Sequence, residues 1–225
     1  MTVEPLLLAE EVRFTGPASI GSPVVLDGVR LEVAAGEVVD IGGPSGAGKT
    51  TLLRALARLL PDASGHLVLR GTSASDIAPG EWRMRVTLLP QKAALRAGTV
   101  RENLVLPWTL KLRSGEPPPA EEALAAALAD VALADIALDR DVSRLSVGQA
   151  ARLALARTVL TRPDVLLLDE PDAALDDESA AQVAAMTARF AAECGAVIRV
   201  RHQRAGELAT RRLRLADGHL SEVSA

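Results

Sequence analysis

One glycine-rich segment constrains the fold of this chain more than any other: Gly43-Pro44-Ser45-Gly46-Ala47-Gly48-Lys49-Thr50. It lies between a predicted strand, residues 37–41, and a stretch in which leucines recur at helical spacing, residues 52–60. A strand that continues into a helix through such a loop brings backbone N–H groups and the helix N-terminus towards phosphate oxygens. An ordinary glycine turn is the alternative, but it leaves the flanking strand and helix unexplained. The segment therefore predicts nucleotide binding.

The residues of this loop have distinct expected roles. Lys49 would neutralise the β and γ phosphates of the nucleotide, and the hydroxyl of Thr50 would ligate Mg²⁺. The predicted nucleotide-binding residues in this part of the chain are Gly43, Pro44, Ser45, Gly46, Ala47, Gly48, Lys49, Thr50 and Thr51.

A second segment, residues 165–170, complements the loop. Its apolar run is typical of a parallel strand buried on both faces, and the acids that follow then lie at the carboxyl edge of the sheet. Asp169 would hold the Mg²⁺ water shell, and Glu170 would orient or deprotonate the attacking water. By itself a strand ending in Asp-Glu-Pro is more often two exposed acids that begin a loop. The phosphate-binding loop in the same chain reverses that preference.

Predicted strands alternate with predicted helices, which indicates an α/β sheet with a helical insert at about 92–160. The predicted strands are residues 6–14, 24–26, 29–33, 37–41, 66–69, 85–89, 165–168 and 196–200, with two short strands near 213–215 and 220–223. Helical spacing is found after Lys49 as far as Leu60, and again around 124–131, 146–160 and 183–190. Gly115 and three successive prolines exclude helix at 114–119.

Composition narrows the classes of function. The chain is 48% apolar and 24% charged, as globular proteins are. The longest stretch without Asp, Glu, Lys or Arg, residues 14–26, contains glycines and prolines and is shorter than the ~20 apolar residues that span a bilayer. The N-terminus lacks the basic flank of a secretory signal, so we expect a cytoplasmic location. A net charge of −4 argues against general nucleic-acid binding.

Further segments indicate a family. Leu145-Ser146-Val147-Gly148-Gln149 begins a predicted helix, Gln91 precedes the helical region, residues 173–176 follow the acids, and His202 follows the next strand. With the loop and the acids, the order of these motifs resembles the ATPase subunits of ABC transporters over essentially the whole chain. Residues 90–91, 98–100, 102–104 and 107–108 are similar, more narrowly, to the ATPase subunits of bacterial iron-export ABC transporters.

The resemblance implies an ATP-hydrolysing site that uses Mg²⁺. In such a site Gln91 would sense Mg²⁺ and the attacking water, and would link the core to the helical insert. His202 would contact the γ-phosphate and hold Glu170 and the water in place. Thr50, Gln91 and Asp169 are the residues expected at the metal.

The resemblance also implies two kinds of protein partner. A second copy of the chain would pair head to tail with the first and enclose two ATP molecules. Ser146, Gly148 and Gln149 would bind the γ-phosphate of the ATP held by the other copy, and Asp176 would communicate across the seam. A separate integral membrane permease would dock near Gln91 and the helical insert, with the chain as a peripheral subunit on the cytoplasmic side of the cell membrane.

The implied fold is a RecA-like P-loop NTPase core with an N-terminal antiparallel β element and a helical subdomain. All three would belong to a single nucleotide-binding domain. Residues 1–91 and 161–225 would form the core lobe, and residues 92–160 the helical subdomain.

The sequence departs from the family pattern at three positions. Val147 stands where a glycine is usual, and its β-branched side chain adds bulk beside the phosphate and disfavours positive φ. No tyrosine is present to stack on adenine, so Phe14 is the candidate, although a core position suits it equally well. Gln203 follows His202 where an acid is common, and we have no interpretation of that difference.

Two other functions remain open at the level of sequence. One is an ABC ATPase that acts on ribosomes or DNA repair complexes, although such proteins usually carry two units or added basic segments. The other is a regulatory subunit that closes around nucleotide with little turnover, which Val147 keeps open. The transported substrate and the direction of transport would depend on the membrane partner.

Overall fold

Ten strands in two sheets and six α-helices form the part of the chain that this computed structural model describes, residues 4–16, 24–92, 94–173, 175–201 and 208–223. The strands are β1 (Leu7–Gly16), β2 (Val24–Val33), β3 (Val38–Gly42), β4 (Ser64–Leu69), β5 (Thr72–Ser73), β6 (Val86–Leu89), β7 (Val165–Asp169), β8 (Ala196–Val200), β9 (Arg211–Ala216) and β10 (His219–Glu222). The helices are α1 (Lys49–Leu56), α2 (Pro79–Arg85), α3 (Val100–Val105), α4 (Glu121–Asp130), α5 (Val147–Leu160) and α6 (Asp177–Cys194). The predicted α/β class is confirmed.

The larger sheet brings together strand ends that are distant in sequence. Its order is β10-β9-β3-β8-β7-β6, with every neighbouring pair parallel except β9 and β10. Ile41 of β3 pairs with Val200 of β8, and Val200 pairs with Asp169 of β7. Because these strands are parallel, their carboxyl ends meet at one edge of the sheet, and the loops that leave them become neighbours.

The smaller sheet is antiparallel, with the order β2-β1-β4-β5. The prediction of separate strands at 24–26 and 29–33 is wrong, because β2 runs through Asp27 and Gly28 without a break. Gly28 has a φ of 67°, and the register with β1 is irregular between Val12 and Phe14. The Asp-Gly pair therefore forms a β-bulge that bends one strand, where a turn would have reversed the chain.

Two apolar cores lie on opposite faces of the larger sheet. One packs β1, β2 and α1 against the sheet, and the other packs α3, α4, α5 and α6 against it. Side chains of β7 divide between the cores in alternation, with Leu167 in the first and Leu166 and Leu168 in the second. The apolar run of β7 is therefore explained by burial on both faces.

The boundaries of the first helices differ from the predictions. The leucine spacing predicts a helix as far as Leu60, but α1 ends at Leu56. Arg58 has a φ of 53°, and its guanidinium donates to the backbone oxygens of Ala74 at 2.6 Å and Ile77 at 2.8 Å. These bonds hold a left-handed conformation that a right-handed helix cannot continue.

Helix α2 has no counterpart among the predicted helices, because only one of its seven residues, Trp82, is buried. A single buried position gives no helical repeat in the sequence. The indole N–H of Trp82 donates to the backbone oxygen of Leu56 at 2.9 Å, so α2 is held against the end of α1. Strand β6 consequently begins at Val86, one residue after the predicted start.

Helices α3, α4 and α5 occupy residues 100–160, and residues 115–120 between α3 and α4 are not helical, as the glycine and prolines predict. Thr99 and Glu102 form a capping box at the start of α3. Among the helices of the described residues, none combines the length and the apolar character needed to cross a bilayer.

Candidate functional site

The glycine-rich loop leaves the carboxyl end of β3 and continues into α1. Gly43, Gly46 and Gly48 have φ angles of 146°, 80° and 93°. A Cβ atom at Gly43 would lie 2.2 Å from the backbone oxygen of Leu215 in β9, so only glycine fits between the loop and that strand. Pro44, Ser45 and Gly46 are exposed at the tip, while Ala47, Thr50 and Thr51 are half-buried. The tight curl over the start of α1 is the backbone geometry that a phosphate group requires.

Lys49 is the first residue of α1 and is only 6% exposed. Its Nζ donates to the backbone oxygens of Gly43 and Pro44, both at 2.9 Å. Burial lowers the pKa of Lys49, and the negative charges of Glu170 and Asp169 act in the opposite direction. The loop therefore encloses an ammonium group, which suits it to bind a multiply charged phosphate.

Thr50 and Asp169 connect α1 to the end of β7. The Thr50 hydroxyl lies 3.0 Å from Asp169 Oδ1 and 2.9 Å from Oδ2. Asp169 is buried, with 6% exposure. A hydroxyl and a carboxylate are hard oxygen ligands of the kind that Mg²⁺ binds, so the donor set fits the predicted metal.

Glu170, the residue after Asp169, lies beside Gln91 at the same edge of the larger sheet. Gln91 Nε2 donates to Glu170 Oε2 at 2.6 Å, which joins the segments that follow the adjacent strands β6 and β7. The backbone amide of Glu170 donates to the oxygen of Val200 at 3.1 Å. Glu170 has a φ of 49°, a left-handed backbone conformation that is uncommon for a non-glycine residue.

The start of α5 presents a capping box to solvent. Ser146 Oγ accepts from the amide of Gln149 at 3.2 Å, and Gln149 Oε1 accepts from the amide of Ser146 at 3.0 Å. Val147 is the first helical residue and is 75% exposed. Gly148 follows it in the first turn. These described bonds lie within α5 itself and do not join Ser146 to the glycine-rich loop.

Asp176 caps the N-terminus of α6. Its Oδ1 accepts from the amide of Ser179 at 2.8 Å, and its Oδ2 accepts from the Ser179 hydroxyl at 3.1 Å. Hydrogen bonds from this amide and this hydroxyl lower the pKa of Asp176. The carboxylate is therefore held in a fixed orientation near the residues that follow Glu170.

Phe14 is half-buried on β1, opposite Leu26 of β2, and packs against the core between the two sheets. A Cβ atom at Gly16 would approach the Phe14 ring to 2.5 Å, so the ring lies directly over that glycine. Packing accounts for one side of the ring, and a contact with adenine stays a prediction. His202 and Gln203 lie outside the described residues, as does Ala174 of the 173–176 segment.

Four charged residues beside the site were missed by the sequence analysis. They are Asp40 in β3, Arg199 in β8, Arg201 just after β8 and Asp172 just after Glu170. Arg199 is 1% exposed and Asp40 is 5% exposed. A charged residue inside each of two otherwise apolar strands was the available signal, because such a residue has to be paired when it is buried.

A family model described as ABC transporter matches residues 26–173 of this chain. The hemin import ATP-binding protein HmuV of Streptomyces coelicolor is 45% identical over 161 residues, which cover 70% of this chain and 56% of that protein. The probable iron export ATP-binding protein FetA of Escherichia coli is 35% identical over 201 residues, which cover 89% and 86%. The chain thus spans little more than half of the first relative and most of the second.

Solved structures have the same fold. A dimeric ATP-binding cassette in a post-hydrolysis state, bound to ADP and Pi, matches with a TM-score of 0.82 at 24% identity, covering 97% of this chain and 99% of that one. A bacterial Atm1-family ABC exporter with ATP bound matches with a TM-score of 0.80 at 28% identity, covering 99% of this chain and 39% of that one. The α/β class that the alternating elements predict and the P-loop NTPase fold that the family resemblance implies are both confirmed.

Proposed function

Because this chain belongs to the ABC transporter family of ATP-binding proteins, we propose that it hydrolyses ATP to drive a separate membrane permease. One observation carries the proposal: Gln91 Nε2 lies 2.6 Å from Glu170 Oε2 at the same sheet edge where Thr50 bonds Asp169. A phosphate-binding loop, a metal-type oxygen pair and a positioned carboxylate are the parts that hydrolysis of a nucleoside triphosphate needs.

Binding depends on groups that the fold already orients. The N–H groups of the loop from Gly43 to Gly48 and the N-terminus of α1 would receive the β and γ phosphates. Lys49, held inside the loop by two carbonyls, would neutralise their charge. Thr50 and Asp169 would hold Mg²⁺, which when bound supplies charge stabilisation at the phosphates.

Hydrolysis would use Glu170 as the base for an in-line water. The Gln91 amide fixes the orientation of that carboxylate, which would accept a proton from the water as it attacks. His202 is the proposed third member, which would contact the γ-phosphate and hold the water in line.

Two copies of the chain would share each ATP. Ser146, Gly148 and Gln149 of one copy would close on the γ-phosphate held by the other, through a hydroxyl and the N-terminus of α5. The exposed position of that helix start supports this role, because its groups face away from the chain's own core. Asp176 would lie at the seam, and hydrolysis would reopen the pair.

The permease would contact the helical subdomain, residues 92–160, and the segment around Gln91, while residues 1–91 and 161–225 would form the core lobe. The chain would then be peripheral on the cytoplasmic side of the cell membrane. Metal export, with iron as the cargo, is the most specific proposal, and the long match to the FetA protein supports it. The import proteins among the relatives keep the direction a matter for transport assays.

The solution mass of a Glu170→Gln variant, measured with and without MgATP, tests the proposal. Without the base, ATP should stay trapped, so the variant should shift from monomer to dimer only when MgATP is present. Glu122→Gln, an exposed position on α4, is the matched control and should show no such shift. Failure of the Glu170→Gln variant to bind ATP would contradict the proposed function.

A slow-turnover regulatory subunit is the second candidate, and one observation favours it. Val147 is 75% exposed at the first position of α5, where its bulk would meet the phosphate of a second copy. Val147→Gly is expected to raise ATP turnover, measured as phosphate release. Unchanged turnover in Val147→Gly would remove Val147 as a limit on the reaction.

A further inference from the structure

A buried group of charged side chains includes a residue two positions after the proposed catalytic Glu170. Its members, which we call the arginine cluster, are Asp40, Asp172, Arg199 and Arg201, with side-chain exposures of 7%, 12%, 1% and 10%. The cluster contains two acids and two bases, so its charges balance. It lies between the larger sheet and α6, because Arg199 Nη1 donates to Thr187 Oγ1 of that helix at 3.2 Å.

The strand register brings the cluster together. Asp40 of β3 and Arg199 of β8 are register partners, and Arg199 Nε donates to Asp40 Oδ1 at 2.6 Å. Arg201 lies two residues further along and therefore on the same face of the chain. Its Nη1 is 3.8 Å from Asp40 Oδ2, and its Nη2 donates to Asp172 Oδ2.

Arg201 is thus the connection between the sheet and the segment that carries Glu170. Its backbone amide donates to the oxygen of Ile41 at 3.2 Å, just before the glycine-rich loop begins. Its guanidinium bonds Asp172, which is two residues after Glu170. The turn between them is short, because the amide of Ala173 donates to the oxygen of Glu170 at 3.3 Å. A shift of Asp172 would therefore move the backbone of Glu170.

The cluster is poorly explained as a stabilising device alone. Asp40 Oδ2, Arg199 Nη2 and Arg201 Nε are buried without a hydrogen-bond partner among the described residues. Well-packed apolar residues in such a place are often neutral or better for stability than an ion pair. What an ion pair adds is direction, since the planar guanidinium fixes the position of the carboxylate it bonds.

We propose that Arg201 and Asp172 are positioning residues that hold Glu170 in its left-handed backbone conformation, aimed at the attacking water. The inference rests on the proposed ATP hydrolysis. The pair acts on the backbone that leaves β7 and touches neither the nucleotide-binding loop nor Lys49 among the described contacts. The reaction rate should therefore depend on the pair far more than nucleotide binding does.

The test compares two isosteric variants at opposite ends of β7. Asp172→Asn weakens the pair with Arg201. Asp164→Asn is the control, because Asp164 precedes β7, is 18% exposed and accepts from Arg70 Nε and Arg85 Nε, both at 2.7 Å. In Asp172→Asn we expect kcat for ATP hydrolysis to fall about ten- to a hundredfold with KM within about twofold. In Asp164→Asn we expect a loss of thermal stability with little change in kcat.

Charge retention and backbone exchange provide two further readouts. Arg201→Lys keeps the charge and should retain more activity than Arg201→Gln. Hydrogen exchange of the Glu170 amide, which bonds Val200, should accelerate in Asp172→Asn and not in Asp164→Asn.

The outcomes separate this inference from the proposed function. Equal kcat in Asp172→Asn and Asp164→Asn, with equal exchange at Glu170, would overturn the positioning role while the wild-type chain still hydrolyses ATP. A wild-type chain without turnover counts against the proposed function, and the exchange comparison then decides the positioning role alone.

Discussion

Gly43, the first residue of the glycine-rich loop, has a backbone geometry that requires glycine. Gly43 has a φ of 146°, and a Cβ atom at this position would lie 2.2 Å from the Leu215 oxygen. No side chain fits in that space. The neighbouring oxygen belongs to the backbone of a strand in the larger sheet, so it cannot rotate away as a side chain could. The loop can therefore keep its curl only while this position is glycine.

We predict that Gly43→Ala lowers the free energy of unfolding by about 3 kcal/mol or more, from overpacking together with the positive φ. Gly36→Ala is the control, because Gly36 has a φ of 86° with nothing within 4 Å of its Cβ position. The control should lose about 1 kcal/mol, from backbone strain alone. Urea denaturation of both variants measures the difference. An equal loss of unfolding free energy in both would show that the backbone of Leu215 moves aside to accommodate the Cβ atom.

The pairing of charged residues inside strands could not be predicted from the sequence. Asp40 and Arg199 each interrupt an apolar run, and nothing in either run says that the other lies opposite it. Only the parallel register of β3 and β8 makes them partners. A buried charge could be recognised from the sequence, but its counter-charge could not.

Two helix starts in this chain carry a capping box, whose residues lie three positions apart in the sequence. Ser146 and Gln149 stand at the capping-box spacing, and both reciprocal bonds are present. Thr99 and Glu102 make the same arrangement at the start of α3. Capping needs residues only three positions apart, so local sequence is enough to specify it.

The two caps provide a prediction that separates stability from function. Ser146→Ala and Thr99→Ala should each lower the free energy of unfolding by about 1 kcal/mol, because each removes the acceptor for an N-terminal amide. Only Ser146→Ala should also weaken the MgATP-dependent dimer in the Glu170→Gln background, since Ser146 is proposed to bind the partner's phosphate. Denaturation and sedimentation measure the two effects, and equal dimerisation in both variants would argue against that contact.

The end of α1 was predicted less well than its start. The leucine spacing continues to Leu60, yet α1 stops at Leu56 because Arg58 is held by carbonyls of residues 74 and 77. Helix α2 is held by the indole of Trp82 on the same helix end. The end of α1 and the position of α2 both depend on contacts between segments about twenty residues apart, and a local sequence pattern does not predict such contacts.

At the scale of the whole molecule, the parallel strands of the larger sheet bring the residues of the candidate site together. Residues near 43, 91, 170 and 201 come from four separate segments and meet because β3, β6, β7 and β8 end at one edge. The two cores hold that sheet from both faces. The start of α5, in contrast, faces solvent, which suits a site completed by a second copy.

We predict that the thermal midpoint of the Glu170→Gln variant depends on protein concentration only when MgATP is present. A dimer that traps nucleotide is stabilised by mass action, whereas a monomer that binds ATP responds to ligand concentration alone. Thermal scans at several protein concentrations, with and without MgATP, test this. If the thermal midpoint rises with ATP concentration but does not change with protein concentration, each ATP-binding site is formed within one copy.

The sequence by itself determined the class of fold and the chemistry of its phosphate-binding loop. Glycines, a lysine and a threonine at fixed spacing, an apolar run ending in acids, and alternating periodicities are local features, and each has a local physical cause. Nucleotide binding was predicted from the loop alone, and the family from its order along the chain with the acids, Gln91, residues 145–149 and 173–176, and His202.

Only the tertiary structure decided which side chains meet. The bond between Gln91 and Glu170 joins residues far apart in the chain, and the arginine cluster depends on strand register and on burial between sheet and helix. The bulge at Gly28 and the end of α1 were likewise set by contacts from other elements. Sequence spacing encodes neighbours along the chain, whereas pairing between strands depends on the packing of the whole sheet, and that packing positions the proposed catalytic carboxylate.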